Sequence, residues 1–222
     1  MATIADNLQD IKARLACVRG VILLAVSKGQ PLERIKEAVA AGQRAFGENY
    51  VQEAIEKMNV LHRNQNALEW HLIGPLQSNK TRVAAERFDW VQTVASEKIA
   101  RRLSEQRPAS LAPLNVLIQV NVSGEASKSG VAPSDVDALA RTVNAMKGIR
   151  LRGLMAVPEP GADRSRYVEV RKIFDRLKGE LALDTLSMGM SDDMELAIAE
   201  GATMVRIGTA IFGARKKHQS AA

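Results

Sequence analysis

The stretch VILLAVSKGQPLERIKEAVAAGQRAFGE, residues 21–48, predicts a strand, a helix and a second strand in succession. Its first part, 21–28, is an apolar run with the length of a buried strand. Apolar residues at helical spacing follow over 31–41, and a short run over 44–48 predicts the next strand. A strand, a helix and a strand in this order form the unit from which parallel sheets are built.

The same alternation continues along the chain and predicts eight strands. They are expected at 21–28, 44–48, 70–74, 90–94, 114–122, 149–157, 184–189 and 203–208. Helices are expected at 31–41, 50–63, 79–87, 96–106, 134–147, 163–181 and 191–200, with a further helix at about 4–17. This pattern favours an α/β fold, a closed (β/α)8 barrel of the TIM type, over an open doubly wound sheet. No long linker divides the 222 residues, so we expect one domain over 1–222.

Composition and cysteine usage predict a soluble, cytoplasmic protein. Hydrophobic residues make up 46% of the chain, which is enough for a full core. The single cysteine, Cys17, excludes an internal disulfide and suits a reducing compartment. Charged residues run through the segment from Met1 to Arg19, and no later apolar run approaches the roughly 18 residues of a membrane-spanning helix.

The net charge of +6 raises the question of a nucleic-acid partner. Basic residues are mostly dispersed among acidic ones, and aromatic residues, the usual stacking platforms, are only 4%. The one dense basic cluster, Arg215 to Lys217, is more typical of a solvated tail. We therefore expect no nucleic-acid and no membrane partner, whereas a modest positive field suits an anionic small ligand.

Lys28 ends the first predicted strand, at the barrel face where α/β proteins bind ligands. Partial desolvation there would favour the neutral amine, the nucleophile that forms a Schiff base. The alternative is a solvated cap whose amine extends to water. This segment alone leaves both interpretations open.

The segments after the seventh and eighth strands have the composition of a phosphate site. Ser191 opens the segment after strand seven, and Gly208 and Thr209 follow strand eight. Glycine allows close backbone approach to an oxyanion, while hydroxyls and amides donate hydrogen bonds to it. The alternative is that Ser191 or Asp192 is a helix N-cap and Gly208 a turn residue.

Arg206 shares one face of the eighth strand with Met204 and Gly208, so its guanidinium is expected inside the barrel mouth. A buried arginine needs a partner. A phosphate and a heteroaromatic nitrogen are two candidates, and an interior carboxylate such as Glu48 is the competing one.

Six collinear motifs together resemble the pyridoxal phosphate homeostasis protein family. They are AVSKGQP at 25–31, FGENYVQE at 46–53, WHLIGPLQSNK at 70–80, VNVSGEASKSG at 120–130, GLMAVP at 153–158 and LSMGMSDDMELAIAEGATMVRIGTAIFG at 186–213. The family is similar in fold to the N-terminal barrel of alanine racemase, in the fold type III group of pyridoxal phosphate proteins.

The resemblance implies pyridoxal 5'-phosphate as cofactor and assigns roles by matching positions. Lys28 matches the lysine that forms the internal aldimine, a Schiff base, and Arg206 matches the arginine facing the pyridine nitrogen. The other matches are Asn49 beside the ring, Ile73 and Met155 in the apolar wall, and Ser191, Gly208 and Thr209 at the phosphate. The chain departs from many members at Gly29 and Gln30, where they have Thr and Lys.

The resemblance implies a carrier or buffer in pyridoxal phosphate homeostasis, without strong catalytic activity and without a metal. Racemases and decarboxylases of this fold group add a second domain, for which the residues up to Ala222 leave no length. The alternatives are a low-activity racemase or decarboxylase, with Tyr50 or His71 as proton carrier, and an aldolase whose Lys28 attacks substrate directly. For Tyr50 a surface or packing role is favoured, and for His71 a hydrogen-bonded interior one. Expected partners are the cofactor and acceptor apo-enzymes; we expect a monomer and leave a dimer open.

Overall fold

The computed structural model describes residues 2–18, 20–61, 68–124 and 129–214. The basic cluster Arg215 to Lys217 lies outside these ranges.

Eight parallel strands form a closed barrel in which each strand pairs with the next along the chain and the last pairs with the first. The strands are β1 (Ile22–Val26), β2 (Ala45–Glu48), β3 (Glu69–Leu72), β4 (Trp90–Val94), β5 (Leu114–Val120), β6 (Ile149–Ala156), β7 (Thr185–Ser187) and β8 (Met204–Ile207). The predicted (β/α)8 barrel is confirmed.

Helices surround the barrel: the first precedes β1, the last follows β8, and the others lie between successive strands. They are α1 (Ile4–Ala16), α2 (Leu32–Ala40), α3 (Val51–Leu61), α4 (Thr81–Arg87), α5 (Glu97–Gln106), α6 (Val136–Asn144), α7 (Arg164–Leu181), α8 (Met194–Ala199) and α9 (Thr209–Phe212). In the described ranges, no helix is both long enough and apolar enough to cross a membrane.

Each helix buries one face against the barrel, as its apolar spacing predicts. In α5, Ala100 and Leu103 are fully buried while Arg101 is exposed and bonds to Glu97 one turn earlier. Burial of a leucine side chain contributes about 1.5–3 kcal/mol. The core between barrel and helices is therefore the main source of stability.

The barrel interior holds a second, smaller apolar group made by Trp90, Leu117 and Met155. Its neighbours inside the barrel are polar, because Gln92, His71 and Ser187 are also buried there. Polar groups in a closed interior must be hydrogen-bonded to one another. This mixed interior lies directly below the ends of the strands that carry the predicted site.

The strand register brings the predicted site residues to one end of the barrel. Arg206 of β8 stands opposite Leu24 of β1, and Met155 of β6 stands opposite Ser187 of β7. In a parallel barrel all carboxyl ends open onto the same face, which is where TIM barrels place their sites. That face is called the mouth below.

Six of the eight strands end one or two residues earlier at the mouth than predicted, whereas β2 and β4 end as predicted. The first strand ends at Val26, so Ser27 and Lys28 lie beyond it. The chain turns there because the Gln30 amide donates to the Ser27 carbonyl at 3.1 Å, and Gly29 takes a φ of +66°. A β-turn with positive φ at its third residue favours glycine. Lys28 therefore sits at the tip of a tight turn.

Candidate functional site

All eight predicted site residues lie at the mouth or just inside it. They are Lys28 after β1, Asn49 after β2, Ile73 after β3, Met155 in β6, Ser191 after β7, Arg206 in β8, and Gly208 and Thr209 after β8. Their strands follow one another around the barrel, and β8 closes onto β1. The amine of Lys28 and the segment 208–209 therefore belong to neighbouring strand ends.

Lys28 is half-buried at the tip of its turn. The preceding residue remains tied to the barrel, since the Ser27 amide donates to the Gly47 carbonyl at 3.0 Å. On the other side, a β-carbon placed on Gly208 would lie 3.3 Å from the Val26 carbonyl oxygen. The backbone after β8 thus runs close against the strand that delivers the lysine.

Asn49 lies in a narrow space between the ends of β2 and β3. A β-carbon on Gly74 would approach the Asn49 carbonyl oxygen to 2.2 Å, so only glycine lets the two segments come this close. The Asn49 Oδ1 atom is buried, and no hydrogen-bond partner for it occurs in the described part of the chain. A buried polar oxygen of this kind is expected to have a function.

Arg206 carries its charge inside the barrel, where the residue is only 4% exposed. Its guanidinium donates to Ser187 Oγ and to the Ala156 carbonyl oxygen, both at 2.8 Å. Burial lowers the pKa of Arg206 to about 10, which leaves the group charged at neutral pH. The proposed pairing with Glu48 is wrong, because Glu48 instead bonds to Lys57 at 2.7 Å.

A series of hydrogen bonds inside the barrel holds the side chain of Arg206 in position. Ser187 Oγ, which accepts from Arg206, donates to Gln92 Oε1 at 2.7 Å. The Gln92 amide nitrogen lies 2.9 Å from His71 Nδ1, and His71 Nε2 lies 2.7 Å from Glu69 Oε1. Because an amide nitrogen can only donate, His71 must accept at Nδ1 and carry its proton on Nε2. This series of bonds crosses the barrel interior from Arg206 to Glu69.

His71 is thus a hydrogen-bonded interior histidine, as favoured above. Its ring also stacks on Trp90, with centroids 5.1 Å apart and planes 9° apart. Burial lowers its pKa below the ordinary value of 6.5. Tyr50, the other residue considered as a proton carrier, is 65% exposed at the rim.

The predicted phosphate site comprises two segments. Ser191 lies between β7 and α8, and Gly208 and Thr209 lie where β8 leads into α9. Gly189 has a φ of +93°, and a β-carbon there would lie 2.5 Å from Ala197 Cβ. The helix α8 begins at Met194 with Asp193 as its N-cap, so a capping role for Ser191 or Asp192 is wrong. The Asp193 carboxylate accepts from the Met190 amide at 2.6 Å, which fixes the segment in front of the helix. Ser191 is left half-exposed at the mouth.

A cavity of about 330 Å³ adjoins these residues. Its walls include Ile73, Gln119 and Met190, so it lies between the ends of β3, β5 and β7. Ile73 also faces the barrel axis, because its Cδ1 atom would lie 3.0 Å from a β-carbon on Gly47. Of the predicted site residues, Ile73 lines this cavity, and Met190 beside Ser191 lines it as well.

Sequence reasoning missed the residues that support the site from behind. Gln92 and Ser187 are separated by 95 positions, so no local pattern links them. Lys57 was also missed, since a lysine within a helix is ordinarily exposed. One signal was present for Gln92: it is a polar residue in the apolar strand segment 90–94, a position that a buried strand rarely gives to an amide.

The donor set fits a phosphorylated heteroaromatic aldehyde. An amine just beyond a strand end, a buried cation whose hydrogen bonds within the described residues go to uncharged oxygens, and a glycine and hydroxyl segment at neighbouring strand ends supply the three contacts that such a molecule needs. The unpartnered Asn49 oxygen adds a polar contact beside them.

Comparison with known proteins gives relatives over nearly the whole chain. Residues 1–216 match the family described as alanine racemase, N-terminal domain. The chain is 57% identical to the pyridoxal phosphate homeostasis protein of Pseudomonas aeruginosa, with 97% of each covered, and 52% identical to that of Escherichia coli K12, with 97% of this chain and 98% of the relative covered.

Solved structures give the same fold. PipY of Synechococcus elongatus PCC7942, solved with pyridoxal phosphate bound, superposes with a TM-score of 0.86 at 38% identity and covers 95% of this chain and all of its own. Alanine racemase of Clostridium difficile superposes with a TM-score of 0.76 at 15% identity. That match covers 97% of this chain but 58% of the racemase, and it shows the fold alone.

Proposed function

The chain belongs to the pyridoxal phosphate homeostasis protein family, and from this premise we propose that it binds pyridoxal 5'-phosphate reversibly and takes part in homeostasis of the cofactor as a carrier. The family resemblance seen in the six motifs is confirmed by relatives that match almost end to end. The PipY structure with pyridoxal phosphate bound supports binding of the same cofactor by this chain.

The observation that carries the proposal is the buried charge of Arg206. Among the described residues, the Arg206 guanidinium donates to a hydroxyl and a carbonyl oxygen, and a carboxylate, Asp193, acts on its charge without such a bond. A buried cation held in this way is costly unless a ligand uses it. A ring nitrogen with a free lone pair suits this donor. Because the cation is permanent, it opposes protonation of that nitrogen.

The remaining roles follow from position. When bound, the cofactor supplies an aldehyde that condenses with an amine, and Lys28 supplies that amine at the mouth. Asn49 donates or accepts beside the ring, and Ile73 and Met155 pack against its apolar surface. The hydroxyls of Ser191 and Thr209 and the amide of Gly208 bind the phosphate.

We further propose that the protein is not an efficient enzyme. A protonated ring nitrogen makes this cofactor a stronger electron sink for carbanions, and the Arg206 cation opposes that protonation. Neither proton carrier considered is well placed, because His71 is bonded on both nitrogens inside the barrel and Tyr50 is largely exposed. We also propose that residues 1–222 form one domain. The expected partners that accept the cofactor are apo-enzymes.

Transfer of the cofactor tests the carrier function. Protein loaded with pyridoxal phosphate and freed of excess by gel filtration is mixed with the apo-form of an aminotransferase, and recovery of transaminase activity is followed. We expect recovery with the loaded wild type and none with Lys28→Ala taken through the same steps. Failure of the loaded wild type, while free cofactor restores activity, would contradict a carrier role.

Proton exchange tests the absence of efficient catalysis. Loaded protein is incubated with a panel of amino acids in deuterated water, and loss of the α-proton is followed by nuclear magnetic resonance. We expect exchange no faster than with free pyridoxal phosphate. Sustained exchange that depends on Lys28 would show that the protein is a racemase or decarboxylase of low activity.

A further inference from the structure

Lys57 on α3 is a buried ammonium directed at the turn that carries Lys28. Its side chain is 8% exposed, and its Nζ donates to the Ser27 carbonyl at 2.7 Å, to Glu48 Oε1 at 2.7 Å and to Glu53 Oε1 at 2.6 Å. All three hydrogens of the ammonium are therefore used. One of the three acceptors is the backbone immediately before Lys28.

The same group also holds the backbone after Lys28. Glu53 Oε1 accepts from the Gly29 amide at 2.6 Å, and Ser27 Oγ donates to Glu48 Oε1 at 2.6 Å. Lys57, Glu48 and Glu53, which we call the turn clamp, thus grip the turn at the carbonyl of Ser27 and at the amide of Gly29. Lys28 is the residue between these two points.

Stability alone gives a weak reason for this arrangement. Glu48 is fully buried and Lys57 nearly so, and a buried ion pair often stabilises a fold no better than apolar side chains of similar size. Burial raises the pKa of Glu48, and the Lys57 ammonium opposes that shift. The pair therefore keeps two charged groups buried at the base of the turn, although their desolvation is unfavourable.

We propose that Lys57, Glu48 and Glu53 are positioning residues that hold the amine of Lys28 in line with the cofactor aldehyde. The inference rests on the proposed function. When the two groups condense, the lysine nitrogen forms a double bond to the aldehyde carbon, and the aldehyde oxygen leaves as water with the two amine hydrogens. Such steps are sensitive to position, and a displacement of about 1 Å costs on the order of 100-fold in rate.

Two ligands separate positioning of the amine from general damage to the site. Pyridoxal 5'-phosphate has the aldehyde, whereas pyridoxine 5'-phosphate has an alcohol there and makes every other contact. For Lys57→Met we expect the visible band to form more slowly by on the order of 100-fold with pyridoxal phosphate. Its affinity for pyridoxine phosphate, measured by calorimetry, should stay within about twofold of wild type, since the other contacts are unchanged.

A double variant separates positioning from stability. Glu48→Gln combined with Lys57→Met removes both buried charges, so it should regain stability lost in Lys57→Met alone. We expect band formation to remain slow, because nothing donates to the Ser27 carbonyl from α3. Recovery of the rate together with stability would overturn the proposal.

Glu53 provides a milder pair in case Lys57→Met does not fold, because its side chain is 27% exposed. Glu53→Ala removes the acceptor for the Gly29 amide, while Glu53→Gln keeps one. We expect a slower band only in Glu53→Ala. Equal rates in the two variants, or an equal loss of affinity for both ligands, would overturn the proposal. A wild type that binds pyridoxine phosphate but forms no band would instead refute the proposed function.

Discussion

The side chain of Arg206 is held in position by residues that lie inside the barrel, below the mouth. Gln92 joins Ser187, which accepts from Arg206, to His71 on the opposite side of the barrel. Each residue of this hydrogen-bonded network has one orientation in which all of its hydrogen bonds are made. A buried network of this kind is rigid when complete and costly when interrupted.

Replacement of Gln92 tests this network. Gln92→Leu leaves Ser187 Oγ and His71 Nδ1 without their partner in a buried space, at about 1–3 kcal/mol for each unpaired group. We expect urea denaturation to show the variant less stable by about 2–6 kcal/mol. Thr142→Val, which removes an exposed hydroxyl bond to the Ala138 carbonyl, should change stability by less than about 0.5 kcal/mol.

His71 makes the stability of the barrel depend on pH. Burial lowers the pKa of His71 from its ordinary value of 6.5. At pH values between 6.5 and the lowered pKa, this histidine is protonated in the unfolded chain and neutral in the folded protein. Stability should therefore fall on acidification through this window, by up to about 1.4 kcal/mol per pH unit. His71→Gln has no such group and should lose less stability between about pH 7 and pH 5.5. Identical slopes in parallel denaturation series would refute the assignment.

At the scale of elements, glycine marks the places where two segments pass too closely for a side chain. Gly153 in β6 has a φ of +154°, and a β-carbon there would lie 1.8 Å from the Thr185 carbonyl oxygen of β7. The pairing of β5 with β6 also shifts by one residue next to it. The glycine thus absorbs an irregularity that keeps the barrel closed.

A pair of alanine substitutions tests this assignment. Gly153→Ala should destabilise the protein by about 2–4 kcal/mol, because backbone must move in both strands. Gly179→Ala, in α7 with no atom within 4 Å of the new β-carbon, should stabilise by about 0.5–1 kcal/mol. Thermal unfolding of the two variants compares them directly. A Gly153→Ala protein as stable as wild type would contradict the contact.

The elements differ in how well sequence predicts them. The helix expected at 163–181 is found at Arg164–Leu181, since eighteen residues give several turns of apolar spacing. The four-residue helix Thr209–Phe212 was missed, because one turn has no periodicity to detect. The first strand was predicted to reach Lys28, but it ends at Val26, where Lys57 of α3 binds the Ser27 carbonyl and the chain turns.

The residues of the candidate site also differ in how well the sequence predicts them. Lys28 and Arg206 were predicted because each depends on its own strand, through its position at an end or on one face. The turn clamp joins α3 to the turn after β1, 30 positions away, and such contacts exist only in the folded chain. The assigned contacts of all eight site residues with a ligand, those of Lys28 and Arg206 included, stay predictions.

For the whole molecule, the closed barrel explains how residues far apart in the chain come together at the mouth. Closure of β8 onto β1 joins residues near the two ends of the sequence, so that Lys28 and Gly208 share one mouth. The net charge of +6 adds a long-range attraction for an anionic ligand, which high salt should weaken. We expect cofactor association to slow as ionic strength rises, measured by stopped-flow absorbance.

We propose that Lys28 binds pyridoxal phosphate covalently at this mouth, and the visible absorption spectrum of the loaded protein reports on that bond. Wild type, Lys28→Ala and Lys98→Ala, which alters an exposed lysine on α5, are each incubated with the cofactor and freed of excess by gel filtration. We predict a yellow band in wild type and in Lys98→Ala and none in Lys28→Ala. A colourless wild type, or a band of equal strength in Lys28→Ala, would contradict the account.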